Sequence, residues 1–275
     1  MADLQANIEE LWHRRDALSP SDADAAAVVA EAISLLDSGE ARVAEVDPAT
    51  DLVVVHEWLK QSILLLFRLR GMETIEHGPF EYADKLPLKH GFAAVGVRAL
   101  PGASARWGSF LARGVVLMPS YVNIGAYVGE DSMVDTWATV GSCAQIGARV
   151  HLAGGVGIGG VLEPPNAVPV VVEDDAFIGS RCMVTGGARV GQGAVLGAGS
   201  FLDPSIPVID ADTGVELSRG VVPPWCVAIR ASRRREYPGG EFFVPCVLVI
   251  KRLSEGARHD KAQLNDVLRE HGAST

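Results

Sequence analysis

The chain has 275 residues, of which 34 are acidic and 24 are Lys or Arg, so its formal net charge at pH 7 is −10. An acidic surface repels phosphate backbones and anionic lipid headgroups, which argues against a nucleic-acid partner and against a membrane partner. Apolar runs fall far short of a bilayer span and the first residues lack the layout of an export signal, so we expect a cytoplasmic protein.

The first hundred residues combine helical and extended patterns. Helical periodicity covers Leu4 to Leu18, Ala25 to Leu36 and His56 to Arg70. Ala41 to Val46 and Leu52 to Val55 have the composition of two strands joined by a turn. These patterns predict an N-terminal α/β cap domain over residues 1–105.

The middle of the chain carries a period of six residues. An aliphatic side chain occupies each of these positions: Val116, Val122, Val128, Val134, Val140, Ile146, Leu152, Ile158, Val172, Ile178, Val184, Val190, Leu196 and Leu202. Neither the 3.6-residue period of a helix nor the two-residue alternation of an ordinary strand gives this spacing. It is the hexapeptide signature of a parallel β-helix, in which three hexads close one coil. Glycine often follows the aliphatic residue directly, where we expect a turn with positive φ.

Two stretches interrupt this period, and the chain changes character after them. Glu163 to Val168 contains two prolines, and Asp203 to Gly220 loses the aliphatic spacing, so both should protrude from the β-helix as loops. We therefore predict a β-helix with protruding loops over residues 106–220. Residues 221–275 should add strands, notably Cys246 to Ile250, and a final helix near Lys261 to Glu270.

Asp135 and Trp137 stand out within the repeat. Asp135 directly follows Val134, where glycine is the commonest residue, and its carboxylate should face outward. A carboxylate in an accessible position can take up a proton and so act as a general base. A simpler interpretation is that Asp merely tolerates the turn. Trp137 should also point outward, which indicates an interface or a cleft.

A glycine-rich run and a basic cluster suggest a phosphate-bearing ligand. Backbone N–H groups at Gly154 and Gly155 can approach a ligand closely, although β-helix corners need glycine in any case. The basic residues are Arg230, Arg233, Arg234, Arg235, Lys251 and Arg252. They suit coenzyme phosphates, or they form a solvated face. The seven histidines lack ligand spacing, so no metal site is predicted, and the four cysteines lack CxxC spacing, which favours reduced thiols.

The segment from Val116 to Pro164, which includes MVDTWATVGSCAQIG, closely resembles the tetrahydrodipicolinate N-succinyltransferases. Weaker similarity extends from the N-terminal helices to Lys251, and so over most of the chain. The resemblance implies a mainly β protein built on a left-handed parallel β-helix. It also implies a homotrimer with active sites between neighbouring subunits. Such enzymes transfer succinyl from succinyl-CoA to the amine of ring-opened tetrahydrodipicolinate in lysine and diaminopimelate biosynthesis.

The resemblance assigns roles to individual residues. Asp135 matches an aspartate that serves as substrate ligand and candidate base, and Arg98 matches an arginine that binds a substrate carboxylate. With them we predict Trp137 as a substrate-binding residue. We further predict Gly154, Gly155, Arg233 and Lys251 as contacts of the coenzyme A thioester. For His151, directly before Leu152, we expect a structural role.

One departure from the family pattern leaves other functions open. The family commonly reads IGxRxEVxEG, but here Met183 and Gly186 replace the two glutamates, and neither side chain accepts a proton. An alternative is a related acyltransferase that uses a succinyl or acetyl donor on a similar amino acid, as in tabtoxin biosynthesis. A further alternative is a non-catalytic hexapeptide scaffold, which would have no reason to keep Asp135 and Arg98.

Overall fold

The computed structural model describes residues 1–256 and 267–274. The N-terminal region confirms the three predicted helices: α1 spans Ala2–His13, α2 spans Ala23–Ser38 and α3 spans Glu57–Leu69. Short 3₁₀ helices span Arg15–Ala17 and Phe92–Val95. The alanine-rich α2 has high helix propensity and ends at Gly39, which adopts the left-handed conformation with φ of 78°.

Two hairpins accompany these helices. The predicted strand pair is confirmed as Ala44–Val46 against Val53–Val55, antiparallel. A second antiparallel pair, Glu73–His77 with Phe80–Asp84, was not predicted. Both strands are largely exposed, so apolar and polar residues do not alternate along them in the way that a half-buried strand requires.

The hexapeptide region forms a parallel β-helix whose described strands make three faces. The first face contains Arg98–Ala99, Val116–Leu117, Met133–Val134, His151–Leu152, Phe177–Ile178, Val195–Leu196 and Cys226–Tyr237. The second face contains Ser104–Ala105, Tyr121–Val122, Thr139–Val140, Gly157–Ile158, Met183–Val184 and Phe201–Leu202. The third face contains Phe110–Leu111, Tyr127–Val128, Gln145–Ile146, Val171–Val172, Arg189–Val190 and Val221–Val222.

Each strand pairs in parallel with the strand one coil away, and the aliphatic positions meet inside. Val134 pairs with Leu152, and Leu152 pairs with Ile178. All three side chains are fully buried. The period was wrong by one residue at its start, because Leu117 rather than Val116 pairs with Val134 and points inward.

The predicted role of glycine directly after the aliphatic residue was also wrong. Positive φ occurs three residues after it, for example at Asp131, Trp137 and Gly155. Glycine is needed at the earlier position because the backbone of the next coil passes too close for a Cβ. At Gly141 that Cβ would lie 2.1 Å from the backbone N of Gly160.

The C-terminal part of the chain extends the first face. The long strand Cys226–Tyr237 pairs with Gly240–Arg252, and shorter strands Pro207–Asp210 and Glu216–Arg219 complete that edge. Residues 267–270 are helical. These four residues belong to the helix predicted near Lys261 to Glu270, and residues 261–266 of that prediction lie outside the described residues. In the described ranges, every helix is too short or too polar to cross a bilayer.

The N-terminal helices pack on the outside of the β-helix and form a second apolar core with it. Ile124 and Cys143 of the β-helix belong to the same buried cluster as Ile33 and Ile63. The guanidinium of Arg42 stacks 3.8 Å from the ring centre of Tyr127 on the third face. The third face is therefore partly covered, and the corner between the first and second faces stays open for a site.

Candidate active site

Asp135 and Trp137 lie at the corner where the chain passes from the first face to the second. The strand Met133–Val134 ends directly before this corner. The backbone N–H of Asp135 donates to the carbonyl of Leu152 at 3.0 Å, and that of Trp137 donates to Pro119 at 2.7 Å. Coils above and below therefore fix the corner.

The Asp135 carboxylate is held by its neighbours. Its Oδ1 accepts hydrogen bonds from the Thr136 amide at 2.6 Å and the Thr136 hydroxyl at 3.2 Å. Partial burial alone would raise the pKa of Asp135, but the hydrogen bonds from Thr136 and His151 outweigh it, so that the pKa lies below its ordinary value. The side chain is 30% exposed. Asp135 is thus an ionised carboxylate that solvent or a ligand can reach.

His151 lies one coil above, on the same face as Met133. Its Nε2 is 3.5 Å from Asp135 Oδ2, and its ring makes an edge contact with Phe177 at 5.1 Å between centres. Sequence analysis gave this residue a structural role. The repeat offset of 18 residues between Met133 and His151 was the signal that could have paired it with Asp135.

Trp137 has an unusual backbone for a large aromatic residue. Its φ is 61°, in the left-handed region that costs an L-amino acid roughly 1–2 kcal/mol. The side chain is 74% exposed. The positive φ is common to the corners of the repeat, for example at Asp131 and Arg149, whereas the exposure of so large an aromatic ring points to a contact at this corner.

The same corner continues upward as a column of glycines and arginines. Gly155, with φ of 70°, donates its N–H to Thr136 at 2.8 Å. A Cβ on Gly155 would lie 2.8 Å from Cδ of Arg181, and one on Gly199 would lie 2.8 Å from a terminal nitrogen of Arg230. The predicted Gly154 and Gly155 therefore sit above Thr136 and Trp137, and Ala153 is the residue that stacks on Asp135. Sequence analysis missed Arg181, which joins this column only because the coils stack.

The remaining predicted residues lie at the two ends of the first face. Arg98 is exposed and sits two strands below Met133, about 10 Å away at ~4.8 Å per strand. Arg233 and Lys251 lie on the long C-terminal strand pair, whose inner strand pairs with Val195–Leu196. Arg233 is also held by Glu216 at 2.8 Å. These two cations are separated from Asp135 by several coils.

Met183 and Gly186 lie away from Asp135. Met183 belongs to the second face, and its sulfur covers Gly157 so closely that a Cβ there would be 2.4 Å away. Gly186 sits at the next corner with φ of 63°. Neither residue supplies a proton acceptor to the site.

Two family models match the chain. Residues 3–69 match the N-terminal part of tetrahydrodipicolinate N-succinyltransferase, and residues 169–204 match the hexapeptide repeat of succinyl-transferase.

Similar proteins extend the match to the whole chain. A 2,3,4,5-tetrahydropyridine-2,6-dicarboxylate N-succinyltransferase of Methylorubrum populi is 45% identical, with 98% of this chain and 99% of that protein covered. The one from Dechloromonas aromatica is 44% identical over 97% of this chain and 98% of its own length. A solved Campylobacter jejuni structure of a proposed 2,3,4,5-tetrahydropyridine-2-carboxylate N-succinyltransferase is 18% identical, with a TM-score of 0.45 over 80% of this chain and 62% of that one.

Proposed function

The chain belongs to the tetrahydrodipicolinate N-succinyltransferase family, and from that membership we propose that it transfers succinyl from succinyl-CoA to the amine of ring-opened tetrahydrodipicolinate. This reaction serves lysine and diaminopimelate biosynthesis. The observation that carries the proposal is the corner where the ionised Asp135 lies one coil below Ala153, the residue that leads into the glycine pair Gly154 and Gly155.

Asp135 receives the amine of the acceptor in this proposal. Its Oδ2 faces away from Thr136, which occupies Oδ1, and is available to the substrate nitrogen. Arg98 takes a carboxylate of the same acceptor, because its guanidinium fork suits bidentate binding. The spacing of about 10 Å between their strands fits an extended dicarboxylate. Trp137 forms the wall of the cleft and excludes water from the thioester.

Coenzyme A follows the corner column upward. The amides of Gly154 and Gly155 lie beside the thioester and the pantetheine arm. Arg233 and Lys251 on the C-terminal strand pair receive the phosphates. The strand of Arg233 lies four strands, about 19 Å, above that of Met133, and the strand of Lys251 is one further. Arg181 and Arg230 lie between these ends and support the same path with positive charge.

The assembly belongs to the proposal as well. We propose a left-handed β-helix that forms a homotrimer, with each site completed by a neighbouring subunit at Trp137. The cytoplasm suits the four cysteines, which are all buried and free of disulfides. In this arrangement succinyl-CoA is the cosubstrate and a metal takes no part.

Thiol release from succinyl-CoA, with and without tetrahydrodipicolinate, tests the function. We expect release from succinyl-CoA only when this acceptor is present, and a much lower rate of release from acetyl-CoA. Coenzyme A binding without any release on addition of the acceptor would reject the proposed acceptor.

A second function is favoured by Met183 and Gly186. A chain that lacks both family glutamates fits an acyltransferase acting on a similar amino acid in a specialised pathway, with a succinyl or acetyl donor. The same assay with related amino acids as acceptors separates the two functions, since only one acceptor class should release thiol at a high rate.

A further inference from the structure

The contact between His151 and Asp135 goes beyond the role that the sequence predicts for the histidine. Nε2 of His151 faces Oδ2 of Asp135 at 3.5 Å, and Oδ2 is the oxygen that Thr136 leaves to other partners. The two side chains are 24% and 30% exposed, so the pair sits at the rim of the cleft rather than in the core.

Among the described residues, uncharged side chains flank the ring on its own face. Register places Met133 in the strand below His151 and Phe177 in the strand above, and neither side chain carries a charge. Arg149, two residues earlier, is held at the preceding corner by Asp175 at 2.6 Å. Asp135 therefore supplies the carboxylate that faces the imidazole.

Asp135 is by itself a weak proton acceptor. Its pKa lies below the ordinary value, whereas efficient proton transfer at neutral pH favours a group that titrates near that pH. An ordinary imidazole, with a pKa of about 6.5, satisfies that condition. Met183 and Gly186 supply no carboxylate, whereas His151, among the described residues, lies in contact with Asp135 and can hold the proton.

We infer that His151 is a positioning residue for the proposed reaction, which orients Oδ2 of Asp135 and holds the proton that Asp135 takes from the acceptor amine. This inference rests on the proposed function. The amine nitrogen forms a bond to the thioester carbonyl carbon, and the carbon–sulfur bond then breaks. The proton leaves nitrogen for Asp135, is shared with His151, and returns through Asp135 to the departing coenzyme A thiolate. The products are the amide and free coenzyme A, so atoms and charge balance.

The variants His151→Gln and His151→Ala test this role in the full-length chain. Gln keeps a hydrogen-bond donor for Asp135 but cannot hold a proton. We expect both variants to lower kcat about 100-fold at pH 7.5, with KM for the acceptor changed less than about threefold. The acidic limb of the wild-type kcat profile should vanish in both, because neither variant has an imidazole at this position. A Gln variant with wild-type kcat and an unchanged profile would overturn the inference.

A matched control comes from a second histidine–carboxylate pair. His56 lies 3.3 Å from Glu45 in the N-terminal region, away from the corner. His56→Gln should keep the wild-type kcat and pH profile. A loss of the acidic limb in this control would assign the limb to general stability and contradict the role of His151.

A proton NMR titration of His151 tests its interaction with Asp135 in the absence of substrate. We expect the imidazole of wild-type protein to titrate about one pH unit higher than in Asp135→Asn, because the carboxylate favours the protonated ring. Equal titration in the two proteins would overturn the inference even if the enzyme turns over. Wild-type protein that releases no thiol with succinyl-CoA and tetrahydrodipicolinate would instead reject the proposed function, and with it the catalytic part of the inference.

Discussion

At the level of single residues, Asp135 tests the proposed chemistry most directly. Asp135→Asn keeps the size of the side chain and an oxygen for the Thr136 amide, which Asp135 now binds at 2.6 Å, but it removes the charge. We expect kcat to fall at least about 100-fold while the protein stays folded. Steady-state kinetics with circular dichroism checks this, and activity near wild type would remove Asp135 from the mechanism.

The pKa of Asp135 also gives a pH dependence with a definite sign. Because its folded-state pKa is lowered, the carboxylate stabilises the fold above its ordinary pKa, and that contribution is lost as the pH falls through the lower folded value. Wild-type protein should therefore lose stability relative to Asp135→Asn only below pH ~4. Chemical denaturation of both proteins between pH 3 and pH 7 measures the difference, and a divergence that begins near neutral pH would contradict the lowered pKa.

Two substitutions of Trp137 distinguish its effect on stability from its effect on substrate binding. Trp137→Gly relieves the positive φ, whereas Trp137→Ala keeps a Cβ in the left-handed region. We expect the Gly variant to exceed the Ala variant in free energy of unfolding by about 1 kcal/mol. Both should raise KM for the acceptor alike, since both lose the exposed ring. Denaturant unfolding and kinetics test the two parts, and an Ala variant as stable as the Gly variant would show that the corner is unstrained.

The sequence pointed to individual site residues where an unusual residue type occupied a repeat position. Asp135 stood where glycine is usual, and Trp137 was a large side chain on an outward position. His151 and Arg181 are ordinary residue types for their positions in the repeat, so the pattern did not mark them. Their places next to Asp135 and Gly155 follow from stacking of coils, which depends on the length of each insertion. The roles of Arg98, Arg233 and Lys251 remain predictions.

At the level of elements, the close approach of coils makes a sharp test of the repeat. A Cβ at Gly141 would meet backbone at 2.1 Å, whereas at Gly154 its nearest neighbour would be the Thr136 carbonyl at 3.7 Å. We expect Gly141→Ala to lower the free energy of unfolding by about 3 kcal/mol and Gly154→Ala to change it by less than about 0.5 kcal/mol. Urea denaturation of the two variants measures both, and equal stabilities would contradict the coil spacing.

Lys60 connects helix α3 to the loop that interrupts the repeat. The side chain is fully buried, and its Nζ donates to the carbonyls of Pro164 at 3.2 Å and Ala167 at 2.6 Å. Lys60→Met removes both hydrogen bonds from part-buried carbonyls, so we expect a loss of about 2 kcal/mol in the free energy of unfolding. Lys85→Met, which loses one bond to Phe67 from a half-buried position, should cost about 1 kcal/mol.

Burial lowers the pKa of Lys60, which adds a pH signature to this variant. Between the lowered value and the ordinary ~10.4, the unfolded chain binds more protons than the folded one, so wild-type stability gains with rising pH. The difference between wild type and Lys60→Met should therefore widen through this window. A constant difference in denaturation experiments across that range would show that Lys60 titrates normally.

The period of six residues was enough to predict the central coils, because their interior accepts only aliphatic side chains at a fixed spacing. The first coils of the β-helix do not follow this six-residue spacing. Their inward residues include Ala105 and Leu111, and the coil from Leu117 to Val134 has lost one residue. The division of the chain at residues 105 and 220 remains a prediction.

At the level of the whole molecule, sequence patterns could not place the N-terminal helices on the third face. That placement depends on contacts far apart in sequence, such as Arg42 with Gln145 at 3.0 Å and Arg189 with Asp51 at 2.5 Å. It leaves the second face open. Met183 and Phe201 lie there side by side, 43% and 44% exposed, next to the corner that carries Trp137. An exposed apolar strip beside an incomplete cleft suits a second copy of the chain.

The trimer proposed here should depend on that strip. A trimer of 29.1 kDa chains has a mass of about 87 kDa, and Phe201→Glu should convert it to monomers by placing a charge in an apolar contact. Because the site lies at the edge of this face, monomers should lose most thiol-release activity while their circular dichroism stays unchanged. Met72→Glu, at a similarly exposed residue of the N-terminal region, should leave both mass and activity intact. Sedimentation equilibrium decides the matter: a Phe201→Glu trimer would exclude the second face as the interface, and a fully active wild-type monomer would exclude sites shared between subunits.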